Sequence, residues 1–266
     1  MDLVVDGRRA YAYTGGKAFD PALPCVVFVH GALNDHSVWT LYARYCAHHG
    51  RSVLALDLPA HGRSDGPPLA DVGALAAWVL ACLDAAGATR AALIGHSMGG
   101  LIALEAASRA PERIERLGLF GVAYPMKVSD ALLTTAERDP LAAIDMVNTY
   151  SHSTFAAKPS YPGPGSWLRG GSRALMRRVQ AAQPGLNLFR HDFGVCDGYT
   201  GGTEAAARVR CPVGMVIGER DQMTSPKQAA TIAQALNATV HRVDAGHALM
   251  SEAPDAVLAA LRRILD

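Results

Sequence analysis

The sequence predicts an α/β fold, a mostly parallel sheet covered by helices and interrupted once by a long insertion. Three observations carry this. Short, continuous apolar runs recur, of the kind that suits strands buried on both faces. Helical periodicities lie between them, so strand and helix alternate. The alternation stops near residue 121 and resumes near residue 213.

The first elements are two extended runs, residues 3–5 and 8–13, joined at Asp6-Gly7. An Asp-Gly pair between extended runs is a strong hairpin signal. Next comes Cys25-Val26-Val27-Phe28-Val29-His30, a β-branched and aromatic run. Residues 53–56, 91–94, 117–120 and 213–217 read the same way, and residues 238–243 form a weaker strand pattern. In residues 72–86, Val72, Leu75, Ala76, Val79, Leu80 and Leu83 fall at helical spacing. Residues 101–108 read as a helix that stops near Pro111. Residues 226–236 open with Ser225 as N-cap and Pro226 at the first helical position. A last helix, residues 254–265, aligns Val257, Leu258, Leu261, Ile264 and Leu265 on one face. The predicted core is therefore residues 1–120 and 209–266, with residues 121–208 as an insertion over the sheet. That insertion holds helical patterns at residues 130–138 and 141–150, and a Pro/Gly-rich stretch at residues 159–165.

Composition narrows the function. Of 266 residues, 25 are Lys or Arg and 24 are Asp or Glu, so no polyanionic partner such as nucleic acid is expected. Five cysteines, Cys25, Cys46, Cys82, Cys196 and Cys211, include no C-x-x-C pair, which argues against a disulfide framework or a zinc site. The start, Met1-Asp2-Leu3, lacks a basic stretch followed by a long apolar run, and no apolar run approaches a membrane span. The expectation is a soluble, cytoplasmic protein acting on a small molecule, with no membrane partner.

The chemistry concentrates in Ala91-Ala92-Leu93-Ile94-Gly95-His96-Ser97-Met98-Gly99-Gly100, where an apolar strand runs into G-x-S-x-G and a helix pattern follows. This is the setting of a nucleophile elbow, a tight turn that presents Ser97 at a helix N-terminus. A serine hydroxyl needs an adjacent base. Among ten histidines the candidate is His247, between the last strand and the last helix. The acid should fall between them in the chain. Asp221 lies a few residues past the end of the strand at residues 213–217, and the competing Glu219 reads as a solvated loop charge. An anionic tetrahedral intermediate also needs preorganised donors. The backbone N–H groups of Met98 and Ala32 are the candidates, the latter in His30-Gly31-Ala32-Leu33-Asn34, where His30 is read as bonding the loop together.

The motifs HGALNDHSVW, DLPAHGRSDG, GHSMGG, GERDQMTSP and GHALMSEAPDAV stand in an order that resembles the single-domain, lid-bearing, esterase-like serine hydrolases of the α/β-hydrolase fold superfamily. They cover the first ~120 and last ~55 residues. The chain departs from the family's D-x-x-G-x-G-x-S loop at Ala60-His61. The resemblance implies an eight-stranded, mostly parallel sheet with a helical lid, here residues 121–208. It also implies acyl transfer to water through a Ser97–His247–Asp221 triad, with no metal or organic cofactor. The serine nucleophile disfavours relatives that open epoxides or displace halide. Carbon–carbon bond hydrolysis, haloperoxidase or perhydrolase activity, and a small-molecule receptor with the same triad stay open. Aromatic and apolar residues of the insertion, chiefly Tyr124, Met126, Phe155, Trp167 and Phe189, with Leu168 and Phe193 beside them, are candidates for the roof of a substrate pocket that selects small, mainly apolar esters.

Overall fold

The computed structural model describes residues 1–154 and 166–266. In chain order the strands are β1 (Asp2–Val5), β2 (Arg8–Tyr13), β3 (Cys25–Val29), β4 (Ser52–Leu56), β5 (Ala91–His96), β6 (Ile114–Phe120), β7 (Val213–Gly218) and β8 (Thr239–Val243). The helices are α1 (Thr40–His48), α2 (Val72–Ala85), α3 (Met98–Arg109), α4 (Asp130–Arg138), α5 (Pro140–Ser151), α6 (Leu168–Ala181), α7 (Leu188–Gly198), α8 (Gly202–Arg208), α9 (Pro226–Ala235), α10 (Leu249–Glu252) and α11 (Pro254–Leu265).

The eight strands form one sheet in the order β1-β2-β4-β3-β5-β6-β7-β8. The β1–β2 and β2–β4 pairs are antiparallel, and every other pair is parallel. The expected hairpin forms, with Asp6 and Gly7 both at positive φ. Strand β6 begins at Ile114, three residues before the expected start, because Ile114 pairs with Ala91 across a register shift.

The sheet is buried on both faces, and alternation along β3 shows how. Val27 and Val29 face the cluster formed with α2, α3, α8 and α9. Val26 and Phe28 face the cluster formed with α1 and α11. Helix α1 is an element the sequence reading did not name. Its buried positions, Tyr42, Ala43, Cys46 and Ala47, do have helical spacing. Its tyrosines and histidines blur that pattern.

Helices α4 to α8 lie between β6 and β7. A third cluster is built mainly from them, including Ile144, Met176, Val179, Leu188, Phe189 and Phe193, together with Leu33 and Ala60 from the strand-end loops. Helix α8 packs against α3 and α9, on the flank of the sheet. Among the described residues, no helix is long and apolar enough to cross a membrane. All five cysteines are unpaired.

Candidate active site

The carboxyl ends of β3, β5, β7 and β8 each contribute a loop to one cavity, the position where parallel α/β sheets hold ligands. At the end of β5 the chain turns directly into α3. Ser97 takes φ 52° and ψ −121°, a conformation that costs a non-glycine residue about 1–3 kcal/mol. The turn holds because Ser97 N–H donates to Phe120 O at 2.9 Å and Gly100 N–H donates to Ser97 O at 2.8 Å. The two flanking glycines serve close approach. A Cβ on Gly95 would overlap the Gly99 carbonyl, and one on Gly99 would overlap the carbonyls of Val29 and His30.

Asp221, three residues past β7, is buried, whereas Glu219 is exposed. His247 Nδ1 donates to Asp221 Oδ2 at 2.9 Å. The other oxygen, Oδ1, accepts the backbone N–H groups of Met223 (2.8 Å) and Thr224 (2.9 Å). Thr224 Oγ1 donates to Oδ2 at 2.8 Å and stands 3.2 Å from His247 Nδ1. Burial alone would raise the Asp221 carboxyl. The neighbouring His247 and the bonds from His247 and Thr224 override it and hold the group well below the usual carboxylate range. With Nδ1 engaged, the remaining ring nitrogen of His247 is free for the cavity that His247 and Ser97 both line.

A second histidine braces the first. His96 Nε2 donates to the backbone carbonyl of His247 at 3.0 Å, and the two rings lie 4.8 Å apart. Burial, and then the neighbouring His247, push His96 down to about 3, so it stays neutral. On the far side of Ser97, Gly31 and Ala32 line the cavity. His30 Nδ1 donates to Gly31 O at 2.8 Å, and its Nε2 accepts the Leu58 N–H at 3.1 Å. The expected loop-bonding role of His30 is what this geometry serves. Burial pushes His30 down to about 4, which keeps its acceptor nitrogen unprotonated. Met98 is the first residue of α3, so its N–H has no intrahelical acceptor.

The cavity measures about 600 Å³. Val147, Trp167, Leu168, Leu175, Met176 and Phe193 supply its apolar wall. Of the sequence candidates, Trp167, Leu168 and Phe193 lie there and three others do not. Tyr124 packs over Gly202 and Tyr199. Met126 joins the core cluster beside α3. Phe189 is fully buried and stacks behind Phe193, with centroids 4.4 Å apart. Phe155 and the Pro/Gly-rich stretch lie outside the described residues. Position in the insertion alone does not tell a roof residue from a mini-core residue, and Phe189 went to the mini-core.

Asp35, His36 and Asp57 bring their ligand-type atoms together. These atoms already serve the loops. Asp57 Oδ1 accepts His36 N–H at 2.7 Å and pairs with His36 Nδ1 at 2.8 Å, and its Oδ2 accepts Arg63 N–H at 2.9 Å. Asp35 caps the following turn through Ser37 and pairs with Arg178 at 2.8 Å.

Comparison with known proteins decides the family. The family model for the alpha/beta hydrolase fold matches residues 24–254. The chain belongs to the α/β-hydrolase fold family. A putative non-heme haloperoxidase of Mycobacterium phage D29 is 26% identical to this chain over 255 residues, 95% of this chain and 90% of that one. The dihydrolipoyllysine-residue acetyltransferase component of the acetoin cleaving system of Pseudomonas putida is 39% identical over 110 residues, 41% of this chain but 28% of that protein. The chain thus spans under a third of the length of the first curated relatives it matches. Among solved structures, the enol-lactonase from Burkholderia xenovorans LB400 superposes with TM-score 0.81 at 21% identity, covering 100% of this chain and 99% of that one. An esterase from Exiguobacterium antarcticum gives TM-score 0.82 at 16% identity over 98% and 97% of the two chains. These last two likenesses are likenesses of fold.

Thr224, Met223 and Glu252 are site residues that sequence reasoning missed. Glu252 accepts Ser153 N–H at 2.8 Å with one oxygen and the Gly246 N–H with the other, so it ties the insertion to the loop that carries His247. The one local signal concerns Met223: a loop Asp tends to bond the backbone two residues on, here the Met223 N–H.

Proposed function

We propose that this hydrolase cleaves carboxylic esters of small, mainly apolar substrates through an acyl-enzyme on Ser97. One observation carries the reading: a serine held at positive φ and a histidine hydrogen-bonded to a buried aspartate share the floor of one apolar cavity. In this reading His247 takes the Ser97 proton as the hydroxyl attacks the carbonyl, then returns it to the leaving alcohol. Asp221 keeps the proton on Nδ1, so the cavity-facing nitrogen is the basic one, and it stabilises the imidazolium that forms. The tetrahedral oxyanion lies against the N–H groups of Met98 and Ala32. Water then repeats the sequence on the acyl-enzyme. Among the described residues, those lining the cavity include no carboxylate and a single cationic side chain, Arg44 at the exposed rim, which suits uncharged esters.

The test is a fluorophosphonate probe together with p-nitrophenyl ester turnover. Wild type is expected to be labelled and to turn over. Ser97→Ala is expected to lose labelling and to lose turnover by several orders of magnitude while keeping its fold. Equal labelling of the two proteins places the nucleophile elsewhere.

A second reading is supported by the near full-length phage relative described as a haloperoxidase. It uses the same acyl-enzyme, with hydrogen peroxide in place of water, and releases a peracid. Acetate- and peroxide-dependent halogenation of a diketone dye reads it out directly.

A further inference from the structure

The loop that carries Ala32 meets the insertion at Asp35, which pairs with Arg178, and most closely at Leu33. Its side chain is fully buried in the insertion's own cluster, among residues such as Ile144, Leu188 and Phe189. Its backbone stands at φ 51°, the left-handed region that a leucine avoids. Its N–H donates to Asp192 Oδ2, on α7 of the insertion, at 2.8 Å. The same oxygen accepts His61 Nε2 at 2.9 Å, and His61 Nδ1 donates in turn to Pro59 O at 3.0 Å. Both His61 nitrogens face acceptors; burial alone would lower its pKa, but the adjoining Asp192 carboxylate outweighs it and raises it. Its ring packs on His30 with centroids 5.0 Å apart, and His30 is the residue that bonds Gly31 O and Leu58 N–H. Asp192 and His61 are both buried.

This arrangement serves something beyond holding the insertion down. A buried carboxylate 159 residues along the chain from Leu33 satisfies the N–H of the residue directly after Ala32. Without that acceptor the N–H is stranded in an apolar cluster, and the cheapest relief is rotation of the Ala32–Leu33 peptide out of its strained conformation. That rotation moves the loop lining Ser97.

We propose that Asp192 is a positioning residue for the reaction. By accepting the Leu33 N–H it sets the peptide geometry of the oxyanion loop, so a seated insertion is a condition of transition-state stabilisation as well as of substrate binding. This rests on the ester-hydrolase reading above, with Ala32 as an oxyanion donor.

Two substitutions separate positioning from a merely structural ion pair. Asp192→Asn keeps an oxygen that can accept both Leu33 N–H and His61 Nε2–H, but gives up the charge. Asp192→Glu keeps the charge but displaces the oxygens by one methylene. An ion-pair role ranks the glutamate variant higher, and a positioning role ranks the asparagine variant higher. The expected result is kcat for Asp192→Asn within about threefold of wild type. Asp192→Glu is expected to be lower than that by roughly tenfold or more, with KM unchanged, since a displacement near 1 Å can cost up to about a hundredfold. Affinity for a trifluoromethyl ketone, whose adduct carries the oxyanion, should fall in Asp192→Glu by the same factor as kcat/KM. Fluorophosphonate labelling of wild type at Ser97 comes first. Its absence would sink the ester-hydrolase reading and this one with it. Normal labelling with the glutamate variant equal to or above the asparagine variant overturns the Asp192 assignment alone, and so does a loss confined to KM or to thermal stability.

Discussion

Replacing Asp221 with Asn is the sharpest single test of the proposed proton chemistry, because the surroundings dictate which way the new amide must point. Asp221 Oδ1 accepts two backbone N–H groups, those of Met223 and Thr224, which cannot reorient. The amide oxygen therefore takes the Oδ1 place, and the NH2 takes the Oδ2 place, facing Thr224 Oγ1 and His247 Nδ1. The threonine hydroxyl can turn to accept. The histidine can accept only by moving its proton to the cavity-facing nitrogen, and in that tautomer it cannot receive the Ser97 proton. Restoring the productive tautomer sets two buried donors against each other. At about 1–3 kcal/mol for each unsatisfied group, the cost is about 2–6 kcal/mol. With 1.36 kcal/mol per tenfold, that is a loss of roughly 30- to 26,000-fold. Loss of the negative charge beside the forming imidazolium adds to it, so kcat/KM should fall by about 10³–10⁴. The assay is p-nitrophenyl ester turnover with circular dichroism as the fold control. A folded variant that retains more than a tenth of wild-type activity refutes the assignment of Asp221.

Two further outcomes follow from the same geometry. Gly121→Ala places a Cβ 3.3 Å from His247 and from His96 at a φ of +58°, so activity should drop by tenfold or more, about 1.4 kcal/mol, and Tm by a few degrees, measured by turnover and thermal melts. In acid, His30 and His96 (lowered to about 4 and about 3) stay neutral in the native state, while their unfolded counterparts protonate below about 6.5. Their stabilising effect is therefore complete above that pH and is lost as pH falls toward 4. Two protons correspond to a slope of up to about 2.7 kcal/mol per pH unit. Urea unfolding between pH 7 and pH 4 reads it, and a midpoint that does not change over that range contradicts the neutral assignment.

How much of this was legible in the sequence depends on how local the cause is. The strand runs are local, and so is the Gly95–Gly99 elbow, where two glycines are needed because backbone approaches backbone within five residues. That Asp221 and not Glu219 meets His247 follows from distance past the strand end alone. The wall of the cavity was not legible in this way. Phe189 and Phe193 lie four residues apart on one helix and stack on each other, yet only Phe193 reaches the cavity, because the packing of α7 against α4 and α5 decides which ring is outermost. Asp192 was illegible for a stronger reason. Its partners Leu33 and His61 are 159 and 131 residues away, and no spacing rule spans that distance.

Three non-glycine residues at consecutive sheet positions carry positive φ: Leu33 after β3, Ala60 after β4 and Ser97 after β5, at 51°, 68° and 52°. Such conformations persist only where the surroundings over-determine them. The core alone holds Ser97, through Phe120 O, Gly100 N and the close approach at Gly95 and Gly99. Leu33 and Ala60 are held from the other side. The Leu33 N–H reaches Asp192, the Ala60 carbonyl accepts Gln183 Nε2 at 2.8 Å, and both side chains lie in the insertion's cluster. Ser97 and the loop that carries Ala32 and Leu33 thus have separate supports. Loosening the insertion leaves the Ser97 elbow intact while freeing the loop opposite it. Perturbations of the insertion should therefore act on turnover more than on the presence of a reactive serine.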